Sequence, residues 1–553
     1  MLNLTPENKL LIVDDCQVYT TVTREMLVKL GLSFDQINIA SNSSDCIRLC
    51  REHRYQVILL DHNLSEDADG QQVLSYLRRQ NLIGSDCVVV VVTANNSVKV
   101  VRSFLELEPD GYLVKPLSFE LVKARLPSII NRKLTLAKSY QQFEEGKFES
   151  AITSSDSIRD QAQDLLSQCL LLQAESFFAL GRYDDARNIL ISIPEGQDSP
   201  KVALALSKVY QAQNQFALAI DVLTKYLDHP IYSAAIHERL ADTYFLQLSI
   251  SDAVQAIQLA SEFSPENCER QLKRAYIALA AFDMTLAIEA MESALKFMSP
   301  HDERYLETMQ KFTQLLADHA YFSGDSVHKM VSKKIADCCT YWRRHYEKTQ
   351  YKPFELLLLA RFNATLGFNE RANRQYKEIV SLEITEQEDI CHRLEWLKLC
   401  YLLNKMDKFD KTLQDVIQKI ASLPGELEDK ALEIYMAKWR YNIDQNVAQS
   451  ARLFDEAKRD LSTGDHHSAF PKLINALNKH RGNLDISQVI LQSLTIAWPT
   501  GWNKHQVKHL AQMCVGLLKN SHHVNQTAFK SACHKISQRI DAELLPNSFL
   551  SAA

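Results

Sequence analysis

The chain has 553 residues, 46% of them hydrophobic and 24% charged, with a formal net charge of −6. That balance is ordinary for a globular protein and carries no overall signature of nucleic-acid binding. The length predicts three or four domains unless part of the chain is a repeat array. Twelve cysteines are scattered without Cys-x-x-Cys or Cys/His ligand spacing, so reduced thiols in packing positions are expected, Cys16 among them.

The first residues, Met1 to Glu7, lack a charged stretch leading into an apolar core, so no export signal is expected and the protein is assigned to the cytoplasm. Leu10-Leu11-Ile12-Val13 then reads as a strand that delivers Asp14 and Asp15 at its carboxyl end. The same design recurs in Leu59-Leu60-Asp61, Val91-Val92-Thr93-Ala94 and Tyr112-Leu113-Val114-Lys115-Pro116. The apolar run from Cys87 to Val92 is far too short for a membrane span and reads as a central parallel strand. In an open α/β sheet the carboxyl ends of strands are where ligands bind. Three carboxylates at that edge concentrate negative charge, which a hard divalent cation such as Mg²⁺ relieves. Thr93 and Lys115 would supply a hydroxyl and a cation for the oxygens of a phosphoryl group.

In this order the acidic pair, Asp61, Thr93-Ala94 and Lys115-Pro116 strongly resemble the receiver domain of bacterial two-component response regulators, over about residues 8–128. The resemblance implies a flavodoxin-like, doubly wound sheet of five parallel strands. It also implies that Asp61 is the phosphoacceptor, charged by a histidine kinase or phosphotransfer protein. Mg²⁺ would be held by Asp14, Asp15, Asp61 and the main-chain carbonyl of Asn63. Thr93 and Lys115 would contact the phosphoryl oxygens, Tyr112 would occupy the aromatic switch position, and Pro116 would support the turn or cis peptide after Lys115. The loop after Asp61 departs from the family. It lacks the usual Pro, is one residue longer, and carries the extra acids Glu66, Asp67 and Asp69 before Gly70. Asn63, Asn95 and Asn96 lie where the family tunes hydrolysis.

After Gly111 the strand signals end. Ser118 is a suitable N-cap for the last receiver helix; Pro127 is predicted to interrupt it, with a new helix from about Ser128 to Gln142. The next stretch of chain is periodic: Ala151, Ala186, Ala219, Ala253 and Ala287 are 35, 33, 34 and 34 residues apart, and Pro230, Pro265 and Pro300 recur every 35. Small residues Ala174, Ser207, Ala241 and Ala275 stand twelve positions before the last four alanines, with bulky Phe177, Tyr210 and Tyr244 one turn after the first three. Small side chains at that spacing mark the close approach of two helices, and the pattern resembles a tetratricopeptide (TPR) solenoid.

Beyond residue 300 the repeat decays. Gly367 with Ala372, Phe409 with Cys400, and Gly464 with Ala469 fit weakly, while residues 301–350 fit least and suggest an insertion or a changed path. The expected organisation is a receiver over 1–128, TPR-like repeats over 129–300, a degenerate helical region over 301–545 and a tail over 546–553.

Residues 503–540 carry Lys504, Lys508, Lys519, Lys530, Lys535 and Arg539 without an acid, and read as a solvated basic face. His466-His467 and His522-His523 lack a third metal ligand and read as surface histidines. No phosphate-binding Gly-rich loop, nucleophile elbow, zinc-protease motif or helix-turn-helix is visible. The expected protein is therefore no enzyme beyond self-catalysed phosphoryl uptake and autodephosphorylation. It is a phosphoryl-controlled switch whose helical region binds an effector protein. Two alternatives stay open: an RNA- or DNA-binding regulator using the basic late helices, and a phosphate sink with a passive scaffold. Homo-oligomerisation stays open as well.

Overall fold

The computed structural model describes residues 5–545 except 6, 65–68, 85, 95–108, 160–161, 195, 197–198, 385–388, 520 and 522–524. Five parallel strands, β1 (Leu10–Val13), β2 (Ile37–Ala40), β3 (Val57–Asp61), β4 (Val88–Thr93) and β5 (Gly111–Val114), form one sheet in the order β2-β1-β3-β4-β5. Alternate residues of these strands feed two separate cores. Leu11, Val13, Ile58, Leu60, Val89 and Val91 pack beneath α2 (Ser43–Glu52) and α3 (Gly70–Arg79). Leu10, Ile12, Leu59, Val90 and Leu113 pack on the opposite face beneath α1 (Gln17–Lys29) and α4 (Phe119–Glu144). Burial on both faces is why the strands read as unbroken apolar runs.

One expectation is corrected. Pro127 does not end a helix: α4 runs unbroken for 26 residues with Pro127 inside it, capped by Ser118, whose hydroxyl accepts from the Leu121 amide at 3.2 Å. An interior proline removes a helical hydrogen bond and costs about 3 kcal/mol. Here Val122 and Leu126 before it and Ile130 after it are all anchored in the same receiver core, and that burial holds the two halves in line.

The chain divides into two compact units, one of residues 1–277 with 292–305, the other of 278–291 with 306–553. In the first, the sheet is followed by antiparallel helical hairpins of short helices. Ala151, Ala186, Ala219 and Ala253 are completely buried, and Ala174, Ser207, Ala241 and Ala275 nearly so, which is the close approach their spacing predicts. Each hairpin turns on a left-handed residue five positions before the repeat alanine: Gly146, Gly181, Asn214 and Leu248 in the first unit.

In the second unit the same turn appears at Phe282, Gly367, Asn404 and Gly464. A left-handed conformation is uncommon for a branched or bulky side chain, yet Leu248 adopts it while 70% exposed, and Phe282 adopts it with its ring against Phe322 and Tyr435. The backbone thus repeats where side-chain identity has decayed. Residues 301–350, which fit the pattern least, form two longer helices, Tyr305–Ser323 and Asp325–His345. Helices continue to Ile540, the longest being Leu427–Ser462. Among the described residues, no helix is long and apolar enough to cross a membrane.

Candidate functional site

β1 and β3 are neighbours in register, Val13 opposite Leu60, so the residues just beyond, Asp14 and Asp15 after one strand and Asp61 ending the other, emerge together. Carboxylate oxygens of Asp14, Asp15 and Asp61 lie within 4.8 Å of one another, a cluster able to hold a metal ion. Asp14 and Asp61 are buried and Asp15 is exposed, so the cluster opens to solvent on one side. Lys115, carried just beyond β5, places Nζ 2.7 Å from Asp14 Oδ2 and 2.7 Å from Asp61 Oδ2. Its ammonium also lies 4.6 Å from the Tyr19 ring centre. The Lys115 amide donates to the Thr93 carbonyl at 2.9 Å, tying the ends of β4 and β5 together, and the Lys115–Pro116 peptide is cis.

Electrostatics explain why these groups need a counter-charge. Burial pushes the Asp61 carboxyl up; Lys115 pulls it back, while Asp14 adds repulsion. Burial alone would lower the Lys115 ammonium, but its two carboxylate bonds outweigh that and raise it. One lysine against three carboxylates leaves a net negative site of hard oxygen donors, which fits a divalent cation of the Mg²⁺ kind.

Thr93, buried, ends β4 beside this cluster. Tyr112 is half-buried against the core that holds Leu60 and Val91; its buried hydroxyl has no hydrogen-bond partner among the described residues, and burial pushes its pKa up. Asn63 is exposed and its amide approaches the Asp61 carboxylate. Glu66 and Asp67 of the acceptor loop, together with Asn95, Asn96, His522 and His523, lie outside the described residues.

Three features of the site went unread in the sequence. A Cβ at Gly70 would fall 2.1 Å from the Asp61 carbonyl oxygen, so glycine lets α3 start directly against the acceptor's backbone. Asp69 and Gln72 cap that start reciprocally at 2.8 and 2.9 Å, a pairing the Asp-x-x-Gln spacing does signal. Gln72 also donates 2.8 Å to the Phe297 carbonyl, and at the other end of α3 Arg79 pairs with the buried Asp302. These last contacts join residues more than two hundred positions apart, which no local pattern shows.

The late basic segment is less available than its composition suggests. Lys504 pairs with Asp541, Lys519 reaches Glu370 at 3.5 Å, and Arg539 donates to the Leu494 carbonyl at 2.9 Å while lying over Trp498. His467 is exposed and contacts Thr500. Among the described residues the only metal-type cluster is the aspartate triad.

Residues 10–127 match the response regulator receiver domain family, and the chain therefore carries an N-terminal receiver domain followed by a large all-helical region. Among curated proteins it is 32% identical over 124 residues to the transcriptional regulatory protein PcoR of Escherichia coli, covering 22% of this chain and 52% of that one. It is 30% identical over 126 residues to the probable transcriptional regulator ycf27 of Cyanidium caldarium, covering 23% and 47%. The chain spans about half the length of these relatives. Among solved structures, a two-component response regulator from Clostridium difficile is 28% identical, covering 23% of this chain and 97% of that one with a TM-score of 0.21.

Proposed function

We propose that the protein is a response regulator that takes a phosphoryl group on Asp61 from a histidine kinase or phosphotransfer protein and uses its TPR-like helical region to hold a partner protein. The observation that carries this reading is Lys115 Nζ at 2.7 Å from both Asp14 and Asp61, inside a triad of carboxylates. An Asp61 carboxylate oxygen attacks the phosphorus of a phosphohistidine, the phosphorus–nitrogen bond breaks, and the imidazole leaves. Asp14, Asp15, Asp61 and the Asn63 carbonyl would hold Mg²⁺, which when bound offsets the charge of the entering phosphoryl group. Lys115 exchanges a carboxylate for a phosphoryl oxygen, the Thr93 hydroxyl contacts a second, and Tyr112 repacks into the space Thr93 leaves.

Two rigid routes carry that change outward. α3 starts against the Asp61 backbone and ends on Asp302, and α4 runs without a break from the receiver core into the first helical hairpin. Phosphorylation then shifts the population between arrangements that a partner distinguishes by affinity. A donor of this type acts in the cytoplasm.

Incubating the full chain with radiolabelled acetyl phosphate and Mg²⁺ should label wild type and leave Asp61→Ala at background. Equal labelling of the two would end the assignment. Partner capture with and without beryllofluoride tests the output: an unchanged set of captured proteins would make the receiver a phosphate sink.

A further inference from the structure

The first unit contains a groove of about 610 Å³ bounded by receiver residues Pro109, Asp110 and Ile129 on one side and by three helices of the repeats, Leu166–Ala179, Ser199–Ala212 and Ser233–Leu246, on the other. In a chain of net charge −6, five cationic side chains line it, Arg132, Lys133, Lys201, Lys208 and Arg239, against two carboxylates, Asp110 and Glu175. Lys133 is neutralised by Asp110 at 3.0 Å. The rest of the cationic lining faces a single lining acid.

Arg132, Lys208 and Arg239 lack a close carboxylate of their own among the described residues. Arg132 donates to the uncharged Gln168 side chain. The exposed Lys208 ammonium lies 4.5 Å from the centre of the Phe178 ring and has no ion pair among the described residues. Arg239 stands 3.9 Å from Asp242, whose carboxylate is bound more closely by Lys273 at 3.0 Å. The lining also includes the aromatic Tyr140, Phe178 and Tyr232 and the partly exposed apolar Leu171, Leu204 and Ala205.

We propose that this groove docks an acidic segment of a partner protein, its carboxylates on Arg132, Lys208 and Arg239 and an apolar side chain on the apolar lining that includes Leu171 and Leu204. This rests on the proposed reading of the helical region as a protein-binding output. Charge complementarity calls for an anionic ligand. The apolar lining favours a peptide that carries an apolar side chain over a nucleic-acid backbone. The site is composite. Asp110 immediately precedes β5, whose other end carries Lys115, and a Cβ at Gly111 would lie only 2.4 Å from Ile129, so the receiver wall of the groove is packed tightly against the switch strand. Movement of β5 therefore alters the groove itself.

The test is fluorescence anisotropy with the full chain and a labelled peptide, Asp-Glu-Asp-Leu-Glu-Asp-Phe-Glu, beside its Asn/Gln counterpart and a single-stranded oligonucleotide. Expected is saturable binding of the acidic peptide that weakens with salt, falls about tenfold or more in Lys208→Glu, and falls less in Arg239→Gln. The Asn/Gln counterpart should bind at least about tenfold more weakly. Equal binding to wild type and both variants, equal binding of the uncharged peptide, or tighter binding of the oligonucleotide overturns the proposal. Circular dichroism of the variants confirms that a loss is not unfolding. Repeating the titration with beryllofluoride separates the two claims. Acidic-peptide binding unaffected by beryllofluoride keeps the groove and removes the switch, whereas beryllofluoride-dependent partner capture that persists in Lys208→Glu keeps the switch and removes the groove.

Discussion

Two of the buried charge clusters, one in each unit, are built on opposite plans. At the receiver edge one lysine pairs with two of three clustered carboxylates. In the second unit Asp318 and Glu395 meet Arg361 and Lys398: Arg361 donates to Asp318 at 2.7 Å and places Nε 2.8 Å from Glu395, while Lys398 and the Tyr435 hydroxyl donate to Asp318 at 2.7 and 2.6 Å. These four charges balance, and the cluster is almost completely inaccessible. The receiver cluster carries an excess of negative charge and opens through Asp15. A closed, balanced cluster meets its charges within the core, whereas an unbalanced, open one requires an ion or ligand to complete it.

The sharpest way to break that contrast is to remove one carboxylate from each. Asp318→Ala leaves Arg361 and Lys398 buried without their shared partner and should destabilise the second unit by about 3–5 kcal/mol in denaturant melts. Asp61→Asn should cost less than about 1 kcal/mol or stabilise, because burial and Asp14 already disfavour that charge. A large loss from Asp61→Asn would place both clusters in the same structural class.

Gly70→Ala should come next, at about 1–3 kcal/mol, with slowed phosphoryl uptake, since the added methyl meets the acceptor's own carbonyl. Wild-type uptake with normal stability would show that α3 is not pressed on Asp61. For the metal, calorimetric Mg²⁺ titration should weaken at least about tenfold in Asp14→Asn or Asp15→Asn, roughly 1.4 kcal/mol, and excess EDTA should abolish phosphoryl uptake by wild type. Unchanged affinity would remove the cation from the site.

A further contrast, read from pH dependence, concerns Glu238. Burial works against its charge, but Lys273 at 2.7 Å and Arg270 at 2.9 Å hold it down to about 2. A depressed carboxylate stabilises the fold fully above its ordinary value of 4.5, and that contribution disappears as pH falls from there toward about 2. Glu238→Gln should therefore lower Tm at neutral pH and converge with wild type in acid. Parallel curves would show that the pair contributes nothing to folding.

How far the sequence carried depends on the range of the interaction. Strand ends and site residues were legible because each is local: an apolar run, then Asp14, Asp61, Thr93 or Lys115 at its edge. The helical hairpins were legible through Ala186 and Ala219, whose size is dictated by a neighbour at fixed spacing. Past residue 300 side-chain identity drifted while the turn survived on Gly367, Asn404 and Gly464, residues suited to the left-handed region, whereas the same backbone at Leu248 and Phe282 cannot be read from residue type. Pro127 misled because its local cost is offset by burial of Leu126 and Ile130, which sequence neighbours do not reveal.

The sequence by itself determined the acidic triad, its lysine, the sheet that presents them and the helical period behind it, since each is set by periodicity and side-chain chemistry. The tertiary structure alone decided that Arg79 finds Asp302, that Asp318 is engaged from three other helices, and that scattered cations such as Arg132, Lys208 and Arg239 share one groove. Such contacts close over long loops, and their partners are selected by the packing of whole helices rather than by any signal along the chain.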